Sequence, residues 1–244
     1  MKFDAKRDII ITSYPRSGNS FLQFLILYMY SPEDSEHTFK SLHESIPTLN
    51  SDEMNSRRND FDHPRFYKSH ASFATNYPNV IYLTRHVGDV LISFYHYSKK
   101  FHGLSISFED YLERMDYGKD WRASVNFWHH SVKVFEKFYG LKLLHIKFED
   151  LLADTENVVN KITKFVSDIT DTTPSNGVIQ NAIRATKFES LQKIEQKGLD
   201  IQKDYDPNIR FFRSGKIGQW KKLSQDIQEK ILCQNKYELN LLKY

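Results

Sequence analysis

The sequence predicts an α/β fold: a single domain with a parallel sheet flanked by helices. Three observations predict it. Short apolar segments rich in β-branched residues alternate with longer segments of helical periodicity, the pattern of βα units and a mainly parallel sheet. The first of them, Asp8 to Ser13, is apolar and bounded by polar residues, as a strand buried on both faces requires. No linker divides the 244 residues, so one domain over 1–244 is expected.

The elements follow in order. A tight loop with Pro15 and Gly18 comes after the first strand, then a helix over 19–30. Residues 31–64 are polar and read as loops with short helices. Residues 65–69 and 80–84 are the second and third strands, and 141–146 the fourth. Helices are predicted over 88–100, 108–115, 121–139, 155–167, 176–185 and 224–241. The stretch 204–218 is polar with glycines and reads as a loop.

Composition narrows the function. The hydrophobic fraction is 40% and the aromatic fraction 14%, ample for a globular core. Net charge is +3 and spread along the chain. That does not form a nucleic-acid footprint, which needs clustered Lys and Arg, but it suits attraction of a small polyanion. The single cysteine, Cys233, excludes an internal disulfide, fits a reducing cytoplasm and reads as a small core residue. The longest apolar run, 21–30, is too short to span a bilayer, and no signal-peptide pattern opens the chain. A cytoplasmic protein without membrane contact is expected.

The strongest constellation is Ser13-Tyr14-Pro15-Arg16-Ser17-Gly18-Asn19-Ser20. It follows a buried strand and opens a helix, so free backbone N–H groups and a positive helix end face one point. Arg16 adds a cation, Ser17 and Ser20 add hydroxyl donors, and Gly18 permits close approach. A nucleotide-triphosphatase loop would need G-x-x-x-x-G-K-[ST], which is absent here.

Residues 14–21 resemble the signature loop of the sulfotransferases that use 3′-phosphoadenosine 5′-phosphosulfate (PAPS), which usually reads Tyr-Pro-Lys-Ser-Gly-Thr-Thr-Trp. Here Arg16 replaces Lys, Asn19 and Ser20 replace Thr, and Phe21 replaces Trp. The resemblance implies that Arg16, Ser17, Gly18, Asn19 and Ser20 hold the 5′-phosphosulfate and that Phe21 lies near the adenine. A second motif, an Arg at a strand end with a Ser eight residues on, is matched by Arg85 and Ser93, implied to hold the 3′-phosphate. An Arg fork and a Ser two helical turns on suit that anion. Tyr67-Lys68-Ser69-His70 lies where the family carries Lys-Thr-His-Leu-Pro, which implies His70 as base and Lys68 near the bridging oxygen. Ala71 and Ser72 stand in place of Leu-Pro. Residues 213–221 are similar to the family's late Arg-Lys-Gly-x-x-Gly-Asp-Trp segment, so Arg213, Ser214 and Gly215 are implied to close over the 3′-phosphate. Phe148 and Thr186, in weaker matches, are implied to border the adenine.

The implied fold is the P-loop-like sulfotransferase fold. The implied reaction is in-line transfer from PAPS to a hydroxyl or amine of a small soluble acceptor, with no metal. An ATP-dependent small-molecule kinase, a non-catalytic nucleotide-binding module and a sulfotransferase acting on a glycan remain open as alternatives. Tyr95, Tyr97, Phe101, Phe73 and the segment 205–212 are candidates to line an acceptor pocket. The sequence carries no oligomer signal.

Overall fold

Strand β1 (Asp8–Ser13) lies between β2 (Arg65–Ser69) and β3 (Asn79–Thr84), and β4 (Lys142–Lys147) pairs with the far edge of β3. All three pairings are parallel. This computed structural model describes residues 3–31, 37–49, 64–71, 76–196 and 210–244. Phe73, residues 32–36 and 50–63, and the early part of the 204–218 loop, up to residue 209, lie outside them.

All six residues of β1 and all six of β3 are buried. Period-2 alternation explains how β1 serves two layers. Ile9 and Ile11 face the cluster built on α1 (Asn19–Tyr30), α7 (Thr155–Thr170) and α8 (Asn176–Ala185). Ile10 faces the opposite layer with Tyr67, Val80, Tyr82 and Trp128 of α5 (Lys119–Tyr139). A third cluster joins α3 (Val87–His102), α4 (Phe108–Arg114), α5 and the C-terminal helices α10 (Gln225–Gln234) and α11 (Lys236–Leu241) through Leu91, Leu112, Trp121, Ile231 and Leu239.

The predicted strands and most helices stand within a residue or two of their expected ends. Short helices α2 (Phe39–Ser45), α6 (Phe148–Ala153) and α9 (Phe188–Gln196) were not individually predicted. Two expectations are corrected. The helix predicted over 224–241 is two helices, broken at Asn235. The Asn235 side chain is fully buried and donates to the carbonyls of Tyr117 (2.9 Å) and Ile231 (2.7 Å), so a polar tertiary contact ends what periodicity alone would continue. Cys233 is exposed rather than in the core.

The chain passes from β1 to β2 on one side and then returns to β3 on the other, so the order reverses at β1. In open parallel sheets the crevice beyond the strand C-termini at such a point is where ligands sit. Register there is set by charge at the other end of the strands. Asp8 is fully buried and opposite Arg65. Its carboxylate accepts from Arg65 Nε and from Arg65 Nη2 at 2.7 Å, and from the Asp4 N–H at 2.7 Å. This bidentate pair holds Ser69 opposite Thr12, which carries residue 70 to the end of β1. Removing one partner of such a buried pair is costly. Asp8→Ala is expected to lower stability by roughly 2–4 kcal/mol, moderated because Arg65 can reach water; chemical denaturation would show it, and a loss under about 0.5 kcal/mol would remove the pair from the fold's determinants.

Candidate functional site

Residues 14–18 turn the chain from β1 into α1. Gly18 is the helix N-cap with φ 99°, and Arg16 also has positive φ, 67°. A Cβ on Gly18 would lie 2.2 Å from the Phe148 ring, so glycine is required twice, by backbone and by space. No side chain caps α1 and no acid occupies its first turn. Its first N–H groups therefore lack intrahelical partners and keep their positive character. Ser17 Oγ and Asn19 Oδ1 are buried without hydrogen-bond partners, although Asn19 Nδ2 donates to Ser13 Oγ at 2.9 Å.

His70 follows β2 directly. Its Nδ1 is 2.9 Å from the Ser13 carbonyl oxygen. A carbonyl only accepts, so Nδ1 carries the hydrogen and Nε2 keeps its lone pair. By surface area the residue is exposed and opens onto the cavity, although the protein around it still partly desolvates the ring. That partial burial first, then the cations of Lys68 and Arg16, lower its pKa to about 4, against the opposing bond to Ser13. The imidazole is neutral near pH 7. Lys68 is held through its backbone on the open edge of β2: its N–H donates to Pro47 and its carbonyl accepts from Leu49.

Arg16 extends from the loop between two rings, 4.7 Å from the Tyr97 centroid and 4.6 Å from that of Phe211. Its Nε donates to Ser93 Oγ at 3.3 Å, which leaves the Ser93 hydroxyl hydrogen available. Burial lowers the Arg16 pKa to about 10, still charged at neutral pH.

Arg85 ends β3. It is 7% exposed and donates to the carbonyls of Arg16 (3.3 Å) and Lys216 (3.1 Å), while its Nε has no partner. Part of its fork thus braces the two loops that flank it. Asp89, in the first turn of α3 and fully buried, lies 3.7 Å from Arg85 and accepts from the backbone of Gly218 (2.7 Å) and Trp220 (3.2 Å). Trp220 in turn stacks on His86, centroids 4.3 Å apart. These contacts dock segment 213–220 over the sheet end. Arg213 donates to Gln219 Oε1 at 2.6 Å, and a Cβ on Gly215 would meet the Phe188 ring at 2.4 Å.

One cavity of about 630 Å³ collects these groups. Of the sequence-derived site residues, Arg16, Gly18, Asn19, Ser20, Phe21, Lys68, His70, Arg85, Ser93, Phe148, Thr186, Arg213, Ser214 and Gly215 all line it. Ser17 does not; its side chain is fully buried within the loop. Phe21 meets Phe148 edge-to-face at 6.3 Å, and Thr186 donates to the Ala182 carbonyl at 2.8 Å. Of the proposed acceptor-pocket aromatics, Tyr97, Phe211 and Phe212 line the cavity. Tyr95 and Phe101 do not: Tyr95 donates to the Ile106 carbonyl, and Phe101 packs on Tyr97.

Sequence reasoning missed several residues that shape the site. Asp89 carried one signal, an acid one helical turn after Arg85. Glu149 accepts from the His86 N–H (3.0 Å) and the Tyr244 hydroxyl (2.8 Å); nothing local announced that the C-terminal Tyr244 packs beside the end of β3.

Residues 6–237 match the family description "Sulfotransferase domain". A flavonol 3-sulfotransferase of Flaveria bidentis is 27% identical over 245 residues, covering 90% of this chain and 77% of the relative. Among solved structures, retinol dehydratase in complex with androsterone and the inactive cofactor PAP superposes with a TM-score of 0.72 at 18% identity, over 98% of this chain and 82% of that one. A mouse sulfotransferase complexed with PAP gives 0.67 at 18% identity, over 100% and 90%. The parallel sheet, the loop after β1 and the match along nearly the whole chain agree: this chain is a transferase that belongs to the sulfotransferase domain family.

Proposed function

We propose that the protein moves a sulfuryl group from PAPS to a hydroxyl or amine of a small acceptor. The observation that carries this is the shared cavity: the His70 ring, with its Nε2 lone pair unspent, lines the same space as the α1 loop and three arginines. A donor nucleotide with an anion at each end suits this space. The α1 N-terminus with Arg16 would meet the 5′ end; Ser93, Arg213 and the unpartnered Arg85 Nε would meet the 3′-phosphate. Phe21, Phe148 and Thr186 would flank the base. The PAP in the two structural neighbours' descriptions, and the androsterone in one, support a nucleotide donor and a small acceptor.

In this reading His70 Nε2 takes the acceptor's proton as the acceptor oxygen or nitrogen bonds to sulfur. The sulfur bond to the bridging oxygen of the 5′-phosphate breaks, and PAP leaves. Lys68 and Arg16 offset charge on the bridging and equatorial oxygens. Tyr97, Phe211 and Phe212 give the acceptor an apolar wall. Among the described residues no helix is long and apolar enough to cross a membrane.

Labelling of a metabolite extract with PAPS, read by mass, tests the reaction directly; no sulfated product from any acceptor would overturn it. Three expected outcomes refine it. His70→Ala lowers turnover by roughly 10²–10⁴-fold, the range for a positioned base, with PAP affinity nearly unchanged; near-normal turnover would move the base elsewhere.

Calorimetry is expected to find PAP bound far more tightly than ADP. Arg213→Ala is the cleaner probe than Arg85→Ala, because Arg85 also braces backbone carbonyls. A charge-assisted bond is worth roughly 1.5–3 kcal/mol, so Arg213→Ala should cost PAP more than about tenfold and ADP little. Equal losses for both nucleotides would remove Arg213 from the 3′-phosphate.

The acid limb follows from His70. Its charged form is disfavoured, with a pKa of about 4, so kcat/KM for the free enzyme holds as pH falls through the ordinary imidazole range and declines only nearer 4. A limb at the ordinary imidazole pKa, roughly 6.5, that His70→Ala leaves in place would assign the titration to another group.

A further inference from the structure

We propose that Glu195 is a positioning residue: its buried carboxylate fixes the peptide of Phe211 and Phe212, and through Phe211 it sets the orientation of Arg16 at the reacting centre. The proposal rests on the role of Arg16 given above.

Glu195 stands at the end of α9 and is 7% exposed. Its Oε1 accepts from the Phe211 N–H, and its Oε2 accepts from the Phe212 N–H at 3.0 Å. One carboxylate thus grips two successive amides. Gln192, three residues earlier on the same helix face, donates to the Phe212 carbonyl at 2.8 Å. Residue 212 is held at both its N–H and its C=O, so this stretch of backbone has little rotational freedom. The chain reaches Arg16 twice from there. The Phe211 ring lies 4.6 Å from the guanidinium carbon, and the Phe211 carbonyl accepts from Nη2 at 3.5 Å. Tyr97 covers the other side, 4.7 Å away, and Ser93 holds Nε.

A carboxylate in this place needs compensation. Lys100 of α3, 2% exposed, donates to Glu195 Oε1 at 3.3 Å. Glu195 is a counterpart of Asp89. Each buried carboxylate pairs with a cation and accepts two backbone N–H groups of the segment 211–220, Glu195 at its start and Asp89 near its end. The Asp89 clamp holds the part that carries Gly218 and Trp220. The Glu195 clamp holds the part that touches Arg16. Its removal should therefore be felt at the transferring group more than at the nucleotide's far phosphate.

Glu195→Gln keeps the shape but leaves one oxygen, so one of the two amides loses its acceptor. The expected result is a kcat at least tenfold lower for PAPS-dependent sulfation of 2-naphthol, with PAP affinity within threefold of the parent. The Lys100→Met/Glu195→Gln double variant separates positioning from stability, because it also removes the buried lysine charge that faced Glu195. Thermal stability should recover in the double variant while kcat stays low. Recovery of kcat along with stability overturns the proposal, and so does a fall in PAP affinity that matches the fall in kcat. A readout without turnover covers the case in which 2-naphthol is not sulfated even by the parent protein, an outcome that would count against that acceptor alone. The Arg16 Nε–H resonance, assigned with Arg16→Lys, should be ring-current shifted in the parent and move toward that of an exposed arginine in Glu195→Gln. An unmoved resonance overturns the positioning role.

Discussion

The structure depends on the placement of β1 between two parallel neighbours. A strand with both faces and both edges buried needs an apolar centre, partners for any polar ends and a fully paired backbone; β1 has Ile9, Ile10 and Ile11 at its centre, Asp8 paired with Arg65 at one end, and a parallel neighbour on each edge. At its C-terminal end the ends of β1, β2 and β3 open together. The loop 14–18 leaves from there, His70 arrives beside Ser13, and Arg85 reaches the carbonyl of Arg16. A slip of one residue in β2 would turn its side chains to opposite faces and carry His70 away from the Ser13 carbonyl. The Asp8–Arg65 pair, at the far end of the strands, is thus linked to the chemistry by register alone.

The second constraint is electrostatic. Arg16, Lys68, Arg85 and Arg213 all line one cavity. Gathering cations out of water is unfavourable, and the arginines show it: burial lowers the pKa of Arg16, Arg85 and Arg213, and mutual repulsion adds to it for Arg16 and Arg85. Two features make the arrangement tolerable. Asp89 and Glu195 stand behind the cavity as fixed anions, and aromatic faces cover guanidinium planes, with Phe148 at 4.7 Å from Arg85. Desolvation first, and then the same field, keeps His70 neutral. The charges therefore favour an anionic ligand and help to keep an uncharged imidazole beside it.

Much of this was legible in the sequence because it is local. The turn 14–18 needs a glycine where its backbone has positive φ, and Gly18 stands there. An arginine at a strand end and a serine eight residues on are fixed relative to each other by a strand end and two helical turns, so the pairing of Arg85 with Ser93 that the family resemblance implies needs only local structure. The break at Asn235 was invisible, since helical periodicity continues through it and only the distant Tyr117 carbonyl gives its amide a partner. Cys233 looked like a core residue by type, but it lies on the exposed side of α10.

The sequence by itself determined most of the strand and helix order and the turn that joins β1 to α1, and its resemblance to a family supplied the proposed site residues, because hydrophobic period, turn chemistry and motif spacing are short-range properties. Tertiary structure alone decided the tautomer of His70, the brace that Arg85 forms between two loops, and the carboxylates that dock segment 211–220. Glu195 meets Phe211 across sixteen positions of sequence, Asp89 meets Gly218 across 129, and Tyr244 meets Glu149 across 95. A buried hydrogen bond is chosen by which groups share a dry interior, and that is known only once the chain has folded.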